Sequence, residues 1–186
     1  MKTLKKILFT LFSLFLFYRT GDMMQQFMGD PTILYSLTES VILAFLLTLF
    51  VTGGFAFLGF VFTTSKLLPE QYYTIKRPKK LTRIYHKLGV RHFRLIIVLA
   101  FWGTTKNKKR FFDGTKSGLK HLVVMSKQAE FGHFAAFWLI FLLSILLLWK
   151  GYYLIAVIAN LINVIGNLYP VILQRHHRMR LDRLNG

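Results

Sequence analysis

The sequence predicts an all-α membrane protein with about four transmembrane helices and a basic cytoplasmic loop that contains interfacial helices. Apolar runs of about 20 residues recur along the chain, and each is long enough to cross a bilayer. Hydrophobic residues make up 54% of the chain, with 19 Phe among them, as in integral membrane proteins. The formal net charge is +18, with most cations gathered in one loop and the tail. From its length we expect residues 1–186 to form one integral membrane domain.

The first predicted span is a short apolar run at residues 4–18, which follows Lys2, Lys5 and Lys6. A secretory signal peptide has the same charge and hydrophobicity pattern. No cleavage site of the small-x-small type follows the run, so the pattern favours an uncleaved membrane anchor.

Three longer spans follow the first. The second contains Gly53, Gly54 and Gly59, small residues that allow close contact between helices. The last two are separated by Lys150–Gly151 alone, which predicts a tight turn and an antiparallel hairpin. The three predicted spans are residues 41–62, 129–149 and 152–173.

The distribution of charge predicts the orientation of the spans. Residues 19–40 carry one Arg and three acidic residues, whereas residues 63–128 carry sixteen Lys and Arg and two acidic residues. By the positive-inside rule, both termini and the 63–128 loop are cytoplasmic. We therefore expect a multi-pass protein of the cell membrane whose basic face lies on anionic lipid. This account of the charge is simpler than nucleic-acid binding, which we do not expect.

Within the cytoplasmic loop, apolar residues recur at helical spacing among Lys and Arg between positions 79 and 88. This pattern is typical of an amphipathic interfacial helix, and Gly89 is a plausible end. Residues 95–102 are apolar but too short to span a bilayer. Asp113–Gly114 predicts a turn, and residues 119–125 suggest a second short surface helix.

Amide side chains follow one face of the last span. Asn160, Asn163, Asn167 and Gln174 are separated by 3, 4 and 7 residues, which places them on one side of a helix. Polar residues inside a membrane are costly and usually face a bundle or a cavity. Helix–helix hydrogen bonding is the alternative use of such amides.

Glu130 and His133 lie three residues apart at the inner end of the third span, so both face the same way. Counting back from the Lys150–Gly151 turn places His133 level with residues 167–170 and Glu130 level with residues 171–174. We therefore expect both side chains to meet the amides and the arginines that follow them, at the inner membrane surface.

This group has the chemistry for transfer to a hydroxyl. His133 is the candidate general base, and Glu130 is expected to fix its tautomer. The amides suit a sugar or carbonyl oxygen, and the arginines suit a phosphate, a carboxylate or an oxyanion. The alternative is that Glu130 forms only structural ion pairs and that the arginines serve only to orient the chain. The candidate substrate-binding residues are Asn163, Asn167, Gln174, Arg175 and Arg178.

The chain contains no cysteine, which excludes disulfides, thiol catalysis and cysteine metal sites. His176 and His177 are adjacent and so do not face each other on a helix. We therefore expect neither a metal nor a cofactor.

The polar residues of the last two spans form an extended pattern that resembles a known family. The pattern is Ala129-Glu130-x2-His133 followed by Asn163-x3-Asn167-x2-Pro170-x3-Gln174-Arg175-x2-Arg178-x-Arg180-Leu181. It is similar to the glycosyl-4,4'-diaponeurosporenoate acyltransferases, and the resemblance covers residues 85–181. The glycine-bearing span at residues 41–62 departs from that family's pattern.

The resemblance implies a membrane enzyme that places a fatty acyl group on the sugar of a carotenoid glycoside, the last step towards staphyloxanthin-type pigments. The expected partners are an acyl donor, either acyl-CoA or an acyl carrier protein, and a glycosylated isoprenoid or other glycolipid acceptor. The alternative hypothesis is a small non-enzymatic membrane protein that binds anionic lipid or assists a larger complex.

Overall fold

The computed structural model describes residues 2–29, 33–97 and 116–185, and the regular structure in these ranges is entirely helical. Four helices in the described ranges are long and apolar enough to cross a membrane. The predicted all-α membrane class is therefore confirmed, and the chain is a multi-pass membrane protein. The helices are α1 (Lys2–Gly29), α2 (Leu37–Val61), a 3₁₀ turn (Thr64–Lys66), α3 (Glu70–Tyr73), α4 (Pro78–Lys87), α5 (Val90–Ile97), α6 (Lys116–Trp149), α7 (Tyr153–Asn163), a π-helix (Val164–Leu168) and α8 (Tyr169–Asn185).

The helices form two compact units. The first contains Met1–Thr64 and Gly132–Leu168, and the second contains Ser65–Phe131 and Tyr169–Gly186. We call them the bundle unit and the basic unit.

In the bundle unit, α1 and α2 pack closely at two glycines. A Cβ atom at Gly53 would lie 2.9 Å from Leu16 Cδ1, and one at Gly54 would lie 2.8 Å from Phe17 Cζ. Ser13 Oγ donates to the Gly54 carbonyl at 2.8 Å. The close helix contact predicted for this glycine pair is therefore confirmed.

Helix α1 continues well beyond the expected end at residue 18. Polar residues directly after residue 18 are satisfied within the helix. Arg19 pairs with Asp22 at 2.6 Å, and Thr20 Oγ1 donates to the Leu16 carbonyl at 3.0 Å. The later turns bury Met23 and Phe27 in the core of the bundle unit. Helix packing thus extends α1 to Gly29, where hydropathy alone predicted a shorter span.

Helix α2 begins with a capping box between Ser36 and Glu39. Opposite faces of the bundle helices differ in exposure. Ala44, Leu47 and Ala159 are fully buried in the core, whereas Leu11, Phe45 and Leu161 are more than half exposed. An apolar outer face of this kind is what a bilayer accommodates.

The turn at Lys150–Gly151 is confirmed. Helix α6 ends at Trp149 and α7 begins at Tyr153. Gly151 has φ of +86°, a left-handed conformation that favours glycine. This turn makes a short antiparallel connection between the third and fourth spans.

In the basic unit, α4 is the predicted amphipathic helix. Tyr85 is buried, whereas Lys79, Lys80 and Arg83 are exposed. The helix ends before Gly89, whose φ is +68°, as its position predicted.

The separate surface helix expected at residues 119–125 is instead the beginning of α6. This helix runs without a break from Lys116 to Trp149, since contacts in the basic unit hold its early turns: Ser126 bonds the Gln174 carbonyl at 3.3 Å, and Lys127 pairs with Glu70. The turn expected at Asp113–Gly114 and most of the apolar segment 95–102 lie outside the described residues.

Candidate active site

The fourth span is not a uniform α-helix. Helix α7 ends at Asn163, and the next five residues, Val164–Leu168, form a π-helix before α8 begins at Tyr169. Single π-helical turns of this kind are common at functional sites. Here the π-helix carries Asn167, one of the predicted site residues.

Four buried or half-buried side chains of the bundle unit form a neutral hydrogen-bonded chain, which we call the amide relay. Asn163 Nδ2 donates to the Phe137 carbonyl at 3.0 Å. Asn167 Nδ2 donates to Asn163 Oδ1 and to Thr52 Oγ1, both at 3.0 Å. His133 Nδ1 lies 3.0 Å from Asn167 Oδ1. Counting residues from the Lys150–Gly151 turn predicts that His133 lies level with Asn167, and the two side chains are in contact in the structure.

The direction of the amide relay determines the tautomer of His133. The Phe137 carbonyl can only accept, so Asn163 presents its Nδ2 there and its Oδ1 to Asn167. Asn167 then donates through Nδ2, and its Oδ1 must accept from the imidazole. This arrangement favours the neutral tautomer of His133 with its proton on Nδ1, in which Nε2 keeps a lone pair.

In the basic unit, Glu130 lies at the centre of a second cluster, which we call the ionic cluster. Its side chain is fully buried, and its two oxygens bind two different arginines. Arg175 Nε donates to Oε1 at 2.8 Å, and Arg178 pairs with Oε2. Arg178 also donates to Ser126 Oγ at 3.2 Å. Burial of a charge requires such pairing, and a carboxylate shared by two guanidinium groups satisfies it.

Tyr72 and Tyr73 of α3 cover the arginines of the ionic cluster. The Arg175 Cζ atom lies 4.7 Å from the centre of the Tyr72 ring, and the Arg178 Cζ atom lies 5.4 Å from that of Tyr73. Burial, together with the charge of Glu130, raises the pKa of each phenol to about 12. Both tyrosines therefore stay neutral at physiological pH.

Six of the seven predicted site residues thus belong to two clusters, one in each unit, and Gln174 is the seventh. His133, Asn163 and Asn167 belong to the amide relay. Glu130 was expected to fix the tautomer of His133, but the ring nitrogen Nδ1 contacts Asn167, whereas the two oxygens of Glu130 bind arginines. Glu130, Arg175 and Arg178 belong to the ionic cluster.

The two remaining residues of the predicted stripe, Asn160 and Gln174, make local contacts. The side chain of Asn160 donates to the Ala156 carbonyl of its own helix at 2.9 Å. Gln174 contributes its backbone carbonyl to Ser126.

Sequence reasoning missed Thr52, Tyr72 and Tyr73. Thr52 comes from α2, far from Asn167 in the sequence, and one threonine in an apolar span is not a distinctive signal. The adjacent tyrosines did provide a signal, because arginines commonly stack on aromatic rings. Among the described residues, no group of three side chains could hold a metal ion.

Comparison with known families bears on the chemistry of these clusters. A family model described as glycosyl-4,4'-diaponeurosporenoate acyltransferase matches residues 69–186. The match covers more than half of the chain and contains every predicted site residue. Neither the comparison with curated proteins nor the comparison with solved structures gives a match.

Proposed function

Since the chain belongs to the glycosyl-4,4'-diaponeurosporenoate acyltransferase family, we propose that it moves a fatty acyl group from an acyl thioester to a sugar hydroxyl of a membrane-embedded carotenoid glycoside. Membership supplies the acyltransferase class and the glycosylated carotenoid acceptor. The thioester donor is supported by the sixteen Lys and Arg of residues 63–128, which attract an anionic carrier such as acyl-CoA or an acyl carrier protein.

The observation that carries the mechanism is the contact between His133 Nδ1 and Asn167 Oδ1, which favours a proton on Nδ1. With the proton on Nδ1, Nε2 is free to act as a general base towards a sugar hydroxyl. The hydroxyl oxygen attacks the thioester carbonyl and forms the new C–O bond while its proton passes to Nε2. The C–S bond then breaks, and the imidazolium returns the proton to the departing thiolate.

The amide relay supports the charge that forms during this step. The Asn167 Oδ1 atom accepts from the ring, and this oxygen stabilises an imidazolium. We propose that Asn163 and Asn167 orient the base rather than bind the sugar, since their donor groups are directed at protein oxygens. The chain contains no cysteine, so direct transfer replaces a thioester-linked acyl-enzyme.

In the ionic cluster we propose that Arg175 contacts an anionic group of the donor. Its side chain is 27% exposed, whereas that of Arg178 is 3% exposed. Glu130 and Arg178 then act as positioning residues that hold Arg175. Gln174 remains a proposed substrate contact, supported by its place beside Arg175.

We propose that the protein lies in the cell membrane with both termini cytoplasmic, in accordance with the charge contrast between its loops. Reporter fusions at the N-terminus and within residues 19–40 test this orientation. A cytoplasmic reporter at residues 33–36 would reverse it.

The experiment that tests the proposed function compares His133→Ala with His121→Ala. His121 is an exposed histidine of the same helix, α6, and provides the matched control. Mass spectrometry of the acylated and free carotenoid glycoside in cells that supply the acceptor measures the product. We expect His133→Ala to lose about 10²–10⁴-fold in turnover at normal membrane levels, and His121→Ala to lose none.

Near wild-type turnover in purified His133→Ala would remove His133 as the base. If the wild-type chain also made no acylated product, the non-enzymatic hypothesis of a protein that binds anionic lipid would take its place.

A further inference from the structure

A cavity of about 320 Å³ lies in the basic unit, among α4, α5 and α8. Tyr85 and Val90 form buried apolar parts of its wall. Neither α4 nor α5 belongs to the helices that are apolar enough to cross a membrane. The cavity is therefore built partly from segments that a water-borne ligand can reach. Its volume is at the lower end of the range for small-molecule sites, which is about 300–1,000 Å³.

Positive charge surrounds this apolar wall. Arg94 from α5 and Arg180 from α8 both line the cavity, together with His86 and His176. None of the described residues that line it is acidic. Arg180 is exposed and Arg94 is half-buried. A ligand that suits this arrangement has an anionic group joined to an uncharged, partly apolar chain.

We propose that this cavity binds the phosphopantetheine end of the acyl donor. Its phosphate pairs with Arg94 and Arg180, because guanidinium groups bind phosphate oxygens through two parallel hydrogen bonds. The pantetheine chain lies against Tyr85 and Val90. This inference rests on the proposed function for the identity of the donor, since acyl-CoA and acyl carrier proteins both carry this group. The phosphate of a membrane lipid has the same chemistry and is the other source that the test must separate.

The test measures binding of coenzyme A, which carries no acyl group and undergoes no transfer, to the full-length protein in phosphatidylcholine nanodiscs. Arg180→Gln is compared with Arg83→Gln, which removes an equal charge from an exposed arginine of α4 that does not line the cavity. Loss of one charged hydrogen-bonding partner typically weakens an interaction by about 10–100-fold. We expect that loss of affinity for Arg180→Gln and a change within about twofold for Arg83→Gln. The charge of Arg83 acts on the ligand only at long range, where salt screens it. We also expect 4'-phosphopantetheine, but not pantetheine, to compete with coenzyme A.

Three outcomes would overturn the proposal. Equal losses in the two variants would mean general electrostatic attraction, and competition by pantetheine would mean that phosphate is not recognised. A third is unchanged coenzyme A binding in Arg180→Gln together with loss of phosphatidylglycerol binding, which would assign the cavity to a lipid headgroup.

The acyl-transfer assay separates this proposal from the proposed function. Coenzyme A binding that depends on Arg180, in a protein that transfers no acyl group, would keep the cavity assignment and reject the enzyme. Acyl transfer with an unchanged KM for the donor in Arg180→Gln would reject the cavity and keep the enzyme.

Discussion

The amide relay and the ionic cluster both have buried residues at their centres, but the polar atoms of the two clusters are satisfied by different means. Asn163, Asn167 and Glu130 are each 0% exposed. The amide relay is neutral and ends on a backbone carbonyl, whereas the ionic cluster holds one carboxylate between two guanidinium groups. Removing a member of the relay leaves its neutral hydrogen-bonding partners unpaired, and each unpaired group typically costs about 1–3 kcal/mol. Removing Glu130 leaves two cations without their anion, and such a change typically costs about 3–5 kcal/mol.

This difference decides how the loss of product in a variant is interpreted. We expect a variant of the amide relay to fold, so that its loss of activity reports on chemistry. A variant of the ionic cluster loses activity through the fold as well, so activity must be measured together with stability.

Glu130→Gln should have the largest effect on stability. We expect the free energy of unfolding to fall by about 3–5 kcal/mol, because Arg175 and Arg178 lose the charge that compensates their burial. Glu70→Gln is the matched control. The Glu70 side chain is 76% exposed where it pairs with Lys127, and its loss should cost less than about 1 kcal/mol. Reversible denaturation in detergent measures both. Unchanged stability in Glu130→Gln would contradict the role of this carboxylate in holding the ionic cluster together.

Asn167→Leu should affect turnover more than stability. The substitution removes the acceptor that holds the proton on His133 Nδ1, so the base loses its orientation. We expect turnover to approach the loss of about 10²–10⁴-fold that removal of a general base causes. Asn160→Leu, on the same span, removes an amide that bonds only within its own helix among the contacts the structure describes, and should retain turnover. Equal activity in the two variants would contradict a role for the relay in catalysis.

Thr52→Val should have a smaller effect than Asn167→Leu. It keeps the shape of the side chain and removes the hydroxyl that accepts from Asn167 Nδ2 and lies 3.3 Å from Asn167 Oδ1. Asn167 Nδ2 still donates to Asn163. We expect a loss of about 1 kcal/mol in unfolding free energy and a fall in turnover of less than tenfold. Thr48→Val is the control, since the Thr48 hydroxyl bonds the Ala44 carbonyl within α2. A larger loss of turnover in Thr48→Val would show that α2, rather than the hydroxyl of Thr52, is responsible.

Tyr73→Phe should have the smallest effect at neutral pH and a distinct effect at high pH. The pKa of Tyr73 is raised from 10.0 to about 12, chiefly by burial. Between these values the unfolded chain loses its phenolic proton first, so the stabilising contribution is present below pH 10 and is lost as the pH rises towards 12. Wild type should therefore lose stability relative to Tyr73→Phe over that window. Denaturation curves at a series of pH values test this, and parallel curves would contradict the shift.

Sequence reasoning predicted the parts of the molecule that depend on length, polarity and spacing. The apolar runs predicted the spans, and depth-matching about Lys150–Gly151 brought His133 to Asn167. Sequence reasoning did not predict the π-helix at Val164–Leu168, because it assumed a uniform helical period of 3.6 residues through the fourth span.

The choice of partners was less predictable than the proximity of residues. Glu130 had both His133 and Arg175 within expected reach, and sequence spacing alone does not rank a histidine against an arginine. In the structure the two arginines take both carboxylate oxygens, which satisfies a buried charge better than a neutral imidazole does. Thr52 was missed for another reason, since its contact with Asn167 joins segments that share no periodic pattern.

The position of Thr52 has a consequence for transplanting this chemistry between relatives. The family match begins at residue 69, so the helix that supports Asn167 comes from outside the matched segment. The two residues after Thr52 are Gly53 and Gly54, where α1 packs against α2. A chimera that joins residues 69–186 to a foreign pair of helices would keep the histidine and both amides, and still lack a support for the second amide. An active chimera would need a hydroxyl-bearing residue at the position of Thr52, directly before the glycines of the helix contact. The alternative is to keep the N-terminal helices of this chain.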